Sequence, residues 1–409
     1  MEKYVMKKRF GHPVLSGLAT VAFLLVFASI AWITWSLVWK QIFLFIGGNA
    51  VSSLSSGVQG HFLKEAVEGT FFWMVIGTWV WFSLNMGNYG KYTKSMKQPI
   101  VGIRYTLLAF LAGLLGFVAF VSLMGLWWEP FNWQILFRPG SEQEGLLAIK
   151  GWAATNFFAL TVILAQIPLV SLFGKYPFSK LSHEPRVIAI GTLSLGLFLA
   201  ILSWVVFILP SFMTFEIDGT AVTGTPFGDW STALAWCQLF IFFFLLPAEG
   251  AEGYPQKFIT TKQPWSGFVG LGIALVGAFT FLPLLRTLLT PLANSLGLVP
   301  DMAVASGTLT IINVLLTWHH HFDDYPSKEV MPSTVGRIMI QLVIVLIIGS
   351  VLGILWLTTT LELSPFGAND LSLGHPMLGI LGGQFVYMMP MLFMNTFFDK
   401  WPLAKSVKE

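Results

Sequence analysis

Ten predominantly apolar stretches alternate with short polar connections along the 409 residues, at about 15–38, 70–87, 100–126, 152–172, 187–209, 232–248, 268–289, 302–319, 335–358 and 377–397. Crossing ~30 Å of hydrocarbon takes about 20 residues at helical rise, so each stretch predicts a transmembrane helix. The polar and basic segment Met1–Pro13 leads into the first stretch with no small-residue cleavage site, which predicts a retained first helix.

Every second apolar stretch ends in a related signature. The copies are Tyr89-Gly-Lys-Tyr92-Thr-Lys94 with Pro99, Phe173-Gly-Lys-Tyr176-Pro177-Phe-Ser-Lys180 with Pro185, Glu252-Gly-Tyr254-Pro255-Gln-Lys257 with Pro264, Phe322-Asp-Asp-Tyr325-Pro326-Ser-Lys328 with Pro332, and Phe398-Asp-Lys-Trp401-Pro402-Leu-Ala-Lys405. Taking Tyr92, Tyr176, Tyr254, Tyr325 and Trp401 as anchors, the spacings are 84, 78, 71 and 76 residues. A period that holds two spans predicts an all-α polytopic membrane protein of five tandem parallel helical hairpins, with units near 14–99, 100–185, 186–264, 265–332 and 333–405. A two-helix unit returns to its starting side, so consecutive copies share one orientation and are related by an axis near the membrane normal. Five such hairpins suggest a ring or arc of ten helices that encloses a cavity or packs around a cofactor.

Composition agrees. Hydrophobic residues make up 55% of the chain and charged ones 11%, with 37 Phe and 17 Trp, too apolar for an ordinary soluble surface. The lone Cys237 rules out an intrachain disulfide. The formal charge of +3 is small, but its distribution is uneven: on an alternating ten-helix path 18 of the 23 Lys and Arg fall with the termini and the signatures, and Lys40, Lys64, Arg138, Lys150 and Arg286 fall opposite. The excess of positive charge predicts cytoplasmic termini in a cytoplasmic (inner) membrane. The signatures then read as interface anchors, with aromatic rings at headgroup level and lysines reaching toward phosphate.

The copies disagree in one region. Before the anchor, the first has Asn85-Met-Gly-Asn-Tyr-Gly-Lys91 and the second Leu169-Val-Ser-Leu-Phe-Gly-Lys175, whereas the third has Pro247-Ala-Glu249-Gly-Ala-Glu252-Gly253 and the fourth Trp318-His319-His320-His321-Phe322-Asp323-Asp324. Imidazoles and carboxylates at a hydrocarbon edge call for hydration, pairing or a metal. A helix continuing through the fourth copy places His319 with Asp323 and His320 with Asp324 on shared faces, and one through the third pairs Glu249 with Glu252. His319, His320, His321, Asp323, Asp324, Glu249 and Glu252 are therefore candidate ligands for iron, copper, zinc or manganese, against the plainer reading of a hydrated, Lys-paired rim.

No acid or base falls in the middle of a predicted span, which argues against voltage sensing or a midplane carboxylate relay. Glu65 and Glu68 read as part of an acidic outside loop. The spans carry amides instead; Asn156, Gln166, Gln238, Asn313 and Gln384 are candidates for a substrate path, with interhelical hydrogen bonding as their plainer role. Phosphate loops, nucleophile elbows and nucleic-acid motifs are missing, so the expected partners are the bilayer, a small molecule, and other membrane subunits or a second copy. Three functions remain open. One is a transporter or permease for a neutral, zwitterionic or hydrophobic small molecule, with the His/carboxylate cluster at its cytoplasmic face. Another is a membrane metalloenzyme, or membrane subunit of a redox complex, using that cluster as its metal site. The third is a structural subunit of a larger membrane complex.

Overall fold

The computed structural model describes residues 4–91, 97–210, 230–360 and 381–408. Helix makes up 79% of the structure. Among the described residues, ten long helices carry the fold: α1 (Pro13–Ser52), α2 (Ser56–Phe71, continued by wide π turns to Asn85), α3 (Ile100–Met124), α4 (Glu142–Ser171), α5 (Pro185–Ser203, continued to Ile208), α6 (Trp230–Glu249), α7 (Trp265–Ser295), α8 (Pro300–His321), α9 (Thr334–Leu355) and α10 (Leu381–Thr396). The first nine are long and apolar enough to cross a membrane. The described part of α10 has 16 residues, and the stretch before it lies outside the described residues. Two short strands, β1 (Tyr4–Lys8) and β2 (Ala404–Lys408), pair antiparallel and bring both chain ends to one end of the bundle.

The helices fall into two classes. In α1, α3, α5, α7 and α9 only 22–33% of the most apolar window is buried, whereas in α2, α4, α6 and α8 it is 67–83%; α10 buries most of its side chains and belongs with the second class. Each outer helix buries one narrow stripe at four-residue spacing, for example Thr20, Leu24, Ala28, Trp32 and Ser36 in α1, or Tyr105, Ala109, Gly113 and Phe117 in α3. The remainder of those helices is Leu, Ile, Val and Phe facing outward, as hydrocarbon requires. Small residues on the stripes let backbones meet: a Cβ on Gly113 would lie 2.6 Å from the Trp73 carbonyl oxygen, and one on Gly349 2.9 Å from the Ile311 Cα.

The five inner helices end alike. The chain takes two consecutive left-handed residues, Gly87–Asn88, Gly174–Lys175, Glu252–Gly253, Asp323–Asp324 and Asp399–Lys400. The second of each pair donates its N–H to the carbonyl six residues back (Phe82, Leu169, Pro247, Trp318 and Met394). The next N–H, on Tyr89, Tyr176, Tyr254, Tyr325 or Trp401, bonds three residues back. Orphan carbonyls at a helix end are thereby satisfied at the membrane edge. The structural equivalent of Tyr176 in the first copy is therefore Tyr89, not Tyr92; Tyr92 and Lys94 lie outside the described residues.

Two further expectations change. The second span begins well before residue 70, at Ser56, so Glu65 and Glu68 stand on α2, fully buried, rather than in an outside loop. Lys91 does not reach outward either: it is buried, its Nζ 2.6 Å from Asp399 Oδ1 and 2.5 Å from the Thr396 carbonyl oxygen. Burial pulls its ammonium below the ordinary lysine range, and the Asp399 carboxylate opposes that shift.

Two substitutions test the packing. Gly349→Ala is expected to lower stability by about 1–3 kcal/mol because the α8 and α9 backbones must separate, whereas Gly272→Ala, with nothing within 4 Å, is expected to be neutral or slightly stabilising. Thermal unfolding in detergent reads both, and equal midpoints for the two variants would contradict the close approach. By the same measurement Asp399→Ala, which removes the counter-charge of the buried Lys91 ammonium, is expected to cost about 1–3 kcal/mol.

Candidate functional site

The five inner helices enclose a cavity of about 340 Å³. Positions four apart on a helix share a face, and here that face supplies the wall in layers. Five residues before each anchor aromatic stand Leu84, Ser171, Glu249, His320 and Thr396, and all five line the cavity. Four residues further in come Val80, Ile167, Leu245, Leu316 and Leu392, then Ile76, Ile163, Ile241, Ile312 and Met388. One partly polar layer thus lies toward the end holding the chain termini, and two wholly apolar layers lie beneath it. Gln238, Leu309 and Phe385 complete the far side. Helices α2 and α10 close the circle through Trp79 Nε1 to Thr396 Oγ1 at 3.0 Å and an edge-on contact of Phe72 with Phe385.

At the polar layer α6 meets α8. Glu249 Oε2 lies 3.2 Å from His319 Nε2 and 3.7 Å from His320 Nε2. The other ring nitrogens are held from behind: His319 Nδ1 is 2.8 Å from Asp324 Oδ2, and His320 Nδ1 is 3.0 Å from the Asn395 amide. Gln341 on α9 donates to the Asp324 carbonyl oxygen, fixing that turn. Glu249 Oε2 is buried and makes no hydrogen bond of acceptable geometry among the described residues, although the two imidazoles face it.

The helix stops at His321, and the left-handed turn redirects the chain. His319 therefore meets Asp324, not Asp323, and Glu249 and Glu252 share no helix face. Asp323 pairs with Lys8 of β1 and, at 3.2 Å, with Lys400. Desolvation lowers the Lys8 pKa to about 8, with repulsion from Lys400 adding to the shift. Glu252 accepts from the buried Arg337 at 2.6 Å, and His321 turns to the Met391 carbonyl oxygen at 3.4 Å. Of the seven sequence candidates, Glu249, His319, His320 and Asp324 come together, and Glu252, His321 and Asp323 do not.

Of the path candidates, Gln238 lines the cavity, and together with Asn156 it borders a second cavity of about 30 Å³ beneath it. Asn156 Nδ2 donates to Glu65 Oε2 at 2.8 Å, and His61 Nε2 stands 3.5 Å from Glu65 Oε1. Gln166 accepts from Asn85, and Gln384 bonds Ser306 Oγ at 2.7 Å and Thr310 at 3.2 Å. Asn313 is buried on α8 but does not line the cavity. At the far end Arg286 holds the buried Asp301 through Nε at 2.5 Å and Nη2 at 2.6 Å, with Thr232 beside them. Sequence reasoning missed Glu65 and Glu68; their signal was their spacing of three on what is now a helix, one turn before a long apolar run.

These helices define a multi-pass membrane protein. Comparison of the chain with protein-family models, curated proteins and solved structures finds no match in any of the three.

Replacing Asn156 by Leu removes the amide that satisfies the buried Glu65 carboxylate and is expected to cost about 1–3 kcal/mol. An unfolding midpoint equal to that of wild type would mean that Glu65 is solvated or satisfied without it.

Proposed function

We propose that the chain is a transporter or channel-like permease for a neutral or hydrophobic small molecule, built from five parallel hairpins whose common axis is the path. The single observation that carries this reading is the layered cavity: three successive positions, counted from five equivalent helix ends, supply its wall from all five inner helices. A volume of about 340 Å³ lies within the range of small-molecule sites, and walls of Ile, Leu, Val and Met suit an apolar or uncharged solute over a zwitterion.

Contacts between hairpins support the repeat. The start of each of three outer helices docks on the inner-helix end of the hairpin two places back around the circle. Gln98 before α3 donates to the Phe397 carbonyl oxygen and to Asp399, Gln263 before α7 donates to the Leu172 carbonyl oxygen, and Arg337 of α9 holds Glu252. The charge asymmetry puts the end that bears the termini in the cytoplasm, with the polar layer as the cytoplasmic mouth.

A second reading, a membrane metalloenzyme acting on a lipid-like substrate, is favoured by the convergence of Glu249, His319 and His320 on the same cavity.

Reconstituted vesicles test the transport reading. A panel of uncharged solutes is screened for uptake, then repeated with Ile241→Trp and Ile312→Trp, which fill the deepest layer, and with Ile347→Trp on the exposed face of α9. Uptake of at least one solute, reduced about ten-fold or more by both cavity variants and unchanged by Ile347→Trp, is the expected result. Flux indifferent to the cavity variants would contradict a path along the axis.

A further inference from the structure

We infer that Glu249, His319 and His320 form a binding site for a divalent first-row transition-metal ion at the polar mouth of the central cavity. The inference goes beyond the transport reading and needs no flux to be tested.

Three observations carry it. First, the donor spacing fits one ion. Donors held about 2.1 Å from a metal at tetrahedral angles stand about 3.4 Å apart. Glu249 Oε2 to His319 Nε2 is 3.2 Å and to His320 Nε2 is 3.7 Å, and all three donors lie within 4.8 Å of one another.

Second, the surroundings of His319 are built as a metal ligand's would be. A ligating histidine characteristically gives its far ring N–H to a carboxylate, carbonyl or amide, which sets the tautomer and frees the near nitrogen's lone pair. Asp324 can only accept as a carboxylate, so His319 Nδ1 carries the proton. Asn395 Nδ2 donates to His320 Nδ1, which keeps that ring's proton on Nε2; binding an ion through Nε2 requires the Asn395 amide to turn so that Oδ1 accepts from Nδ1–H. Asp324 is itself positioned by Gln341 at its own carbonyl.

Third, the arrangement leaves a charge unmet. With the His319 proton on Nδ1, its Nε2 presents a lone pair to a carboxylate oxygen that is buried and makes no hydrogen bond among the described residues. That lone pair and the anionic oxygen repel unless a cation lies between them. An imidazolium bridging Glu249 and Asp324 is the competing resolution, and it makes a different prediction: no metal dependence.

Mixed imidazole and carboxylate donors select borderline divalent ions over calcium or magnesium. Three protein ligands also leave a coordination position open, and both Glu249 and His320 line the cavity. Such an ion would tie α6 to α8 at the mouth.

The test uses full-length protein purified in detergent without a histidine tag, stripped by chelator and titrated with Co²⁺. One equivalent is expected to bind, with visible ligand-field absorption, and to be displaced by Zn²⁺. The double variant His319→Gln/His320→Gln is expected to lose the spectrum, and Asp324→Asn to weaken binding about 10–100-fold. His321→Gln, whose imidazole faces Met391, is expected to leave it unchanged. The wild-type titration stands whether or not a variant folds: absence of saturable one-to-one Co²⁺ binding overturns the proposal. So does binding that the double variant retains, or a loss in His321→Gln equal to that in the double variant.

Discussion

Hydrocarbon offers no hydrogen-bond partner, and that constraint sorts every helix of this protein. Polar side chains must find one another or a shared interior. Outer helices meet the demand by carrying almost none away from their single buried stripe, while inner helices collect the amides, hydroxyls and carboxylates and turn them toward each other. Asn156 with Glu65, Gln384 with Ser306 and Asn85 with Gln166 all link one inner helix to another within the protein. With most of the buried amides and carboxylates spent on contacts between inner helices, the face left over for the axis is the apolar Ile, Leu and Val stripe, and the cavity inherits its character.

The helix ends matter as much as the helix faces. A double left-handed turn stops each inner helix at the same phase relative to its aromatic anchor, so positions five, nine and thirteen residues earlier come to the axis in layers. Glycine takes some of these turn positions without strain, but Asp323, Asp324, Asp399 and Lys400 take them with side chains. Those side chains are then used: Asp399 binds Lys91, Asp323 binds Lys8 and Lys400, and Asp324 binds His319. The turn that terminates the helix also delivers the groups that hold neighbouring segments of the chain and position the imidazole.

Much of this is legible in the residues. Length and apolar run locate most of the helices to within a few residues, but α1 runs on to Ser52, α2 begins as early as Ser56 and α4 begins at Glu142. The stretch 56–69 reads as a polar connection because Gln59, His61, Lys64, Glu65 and Glu68 interrupt it, yet Glu65 and Glu68 are buried in the bundle, so hydropathy undercounts the span. The first copy's anchor is misplaced by sequence alone because Gly-Lys-Tyr92 matches Gly-Lys-Tyr176 letter for letter, while the backbone turn lies at Gly87–Asn88. The expected pairs His319 with Asp323 and His320 with Asp324 assume an uninterrupted helix, and sequence spacing does not reveal left-handed conformations at non-glycine residues. The pairing of the two chain ends joins residues about 400 apart and has no local signal.

The central claim is that one axis runs between five inner helices that reach it at equivalent positions. An experimental density map of the purified protein viewed down the bundle tests it most directly. The account predicts α2, α4, α6, α8 and α10 in that order around a cavity bounded by Ile76, Ile163, Ile241, Ile312 and Met388, with Glu249 and His320 side by side at one mouth. A map in which those residues are dispersed, or in which an outer helix occupies the axis, would contradict it.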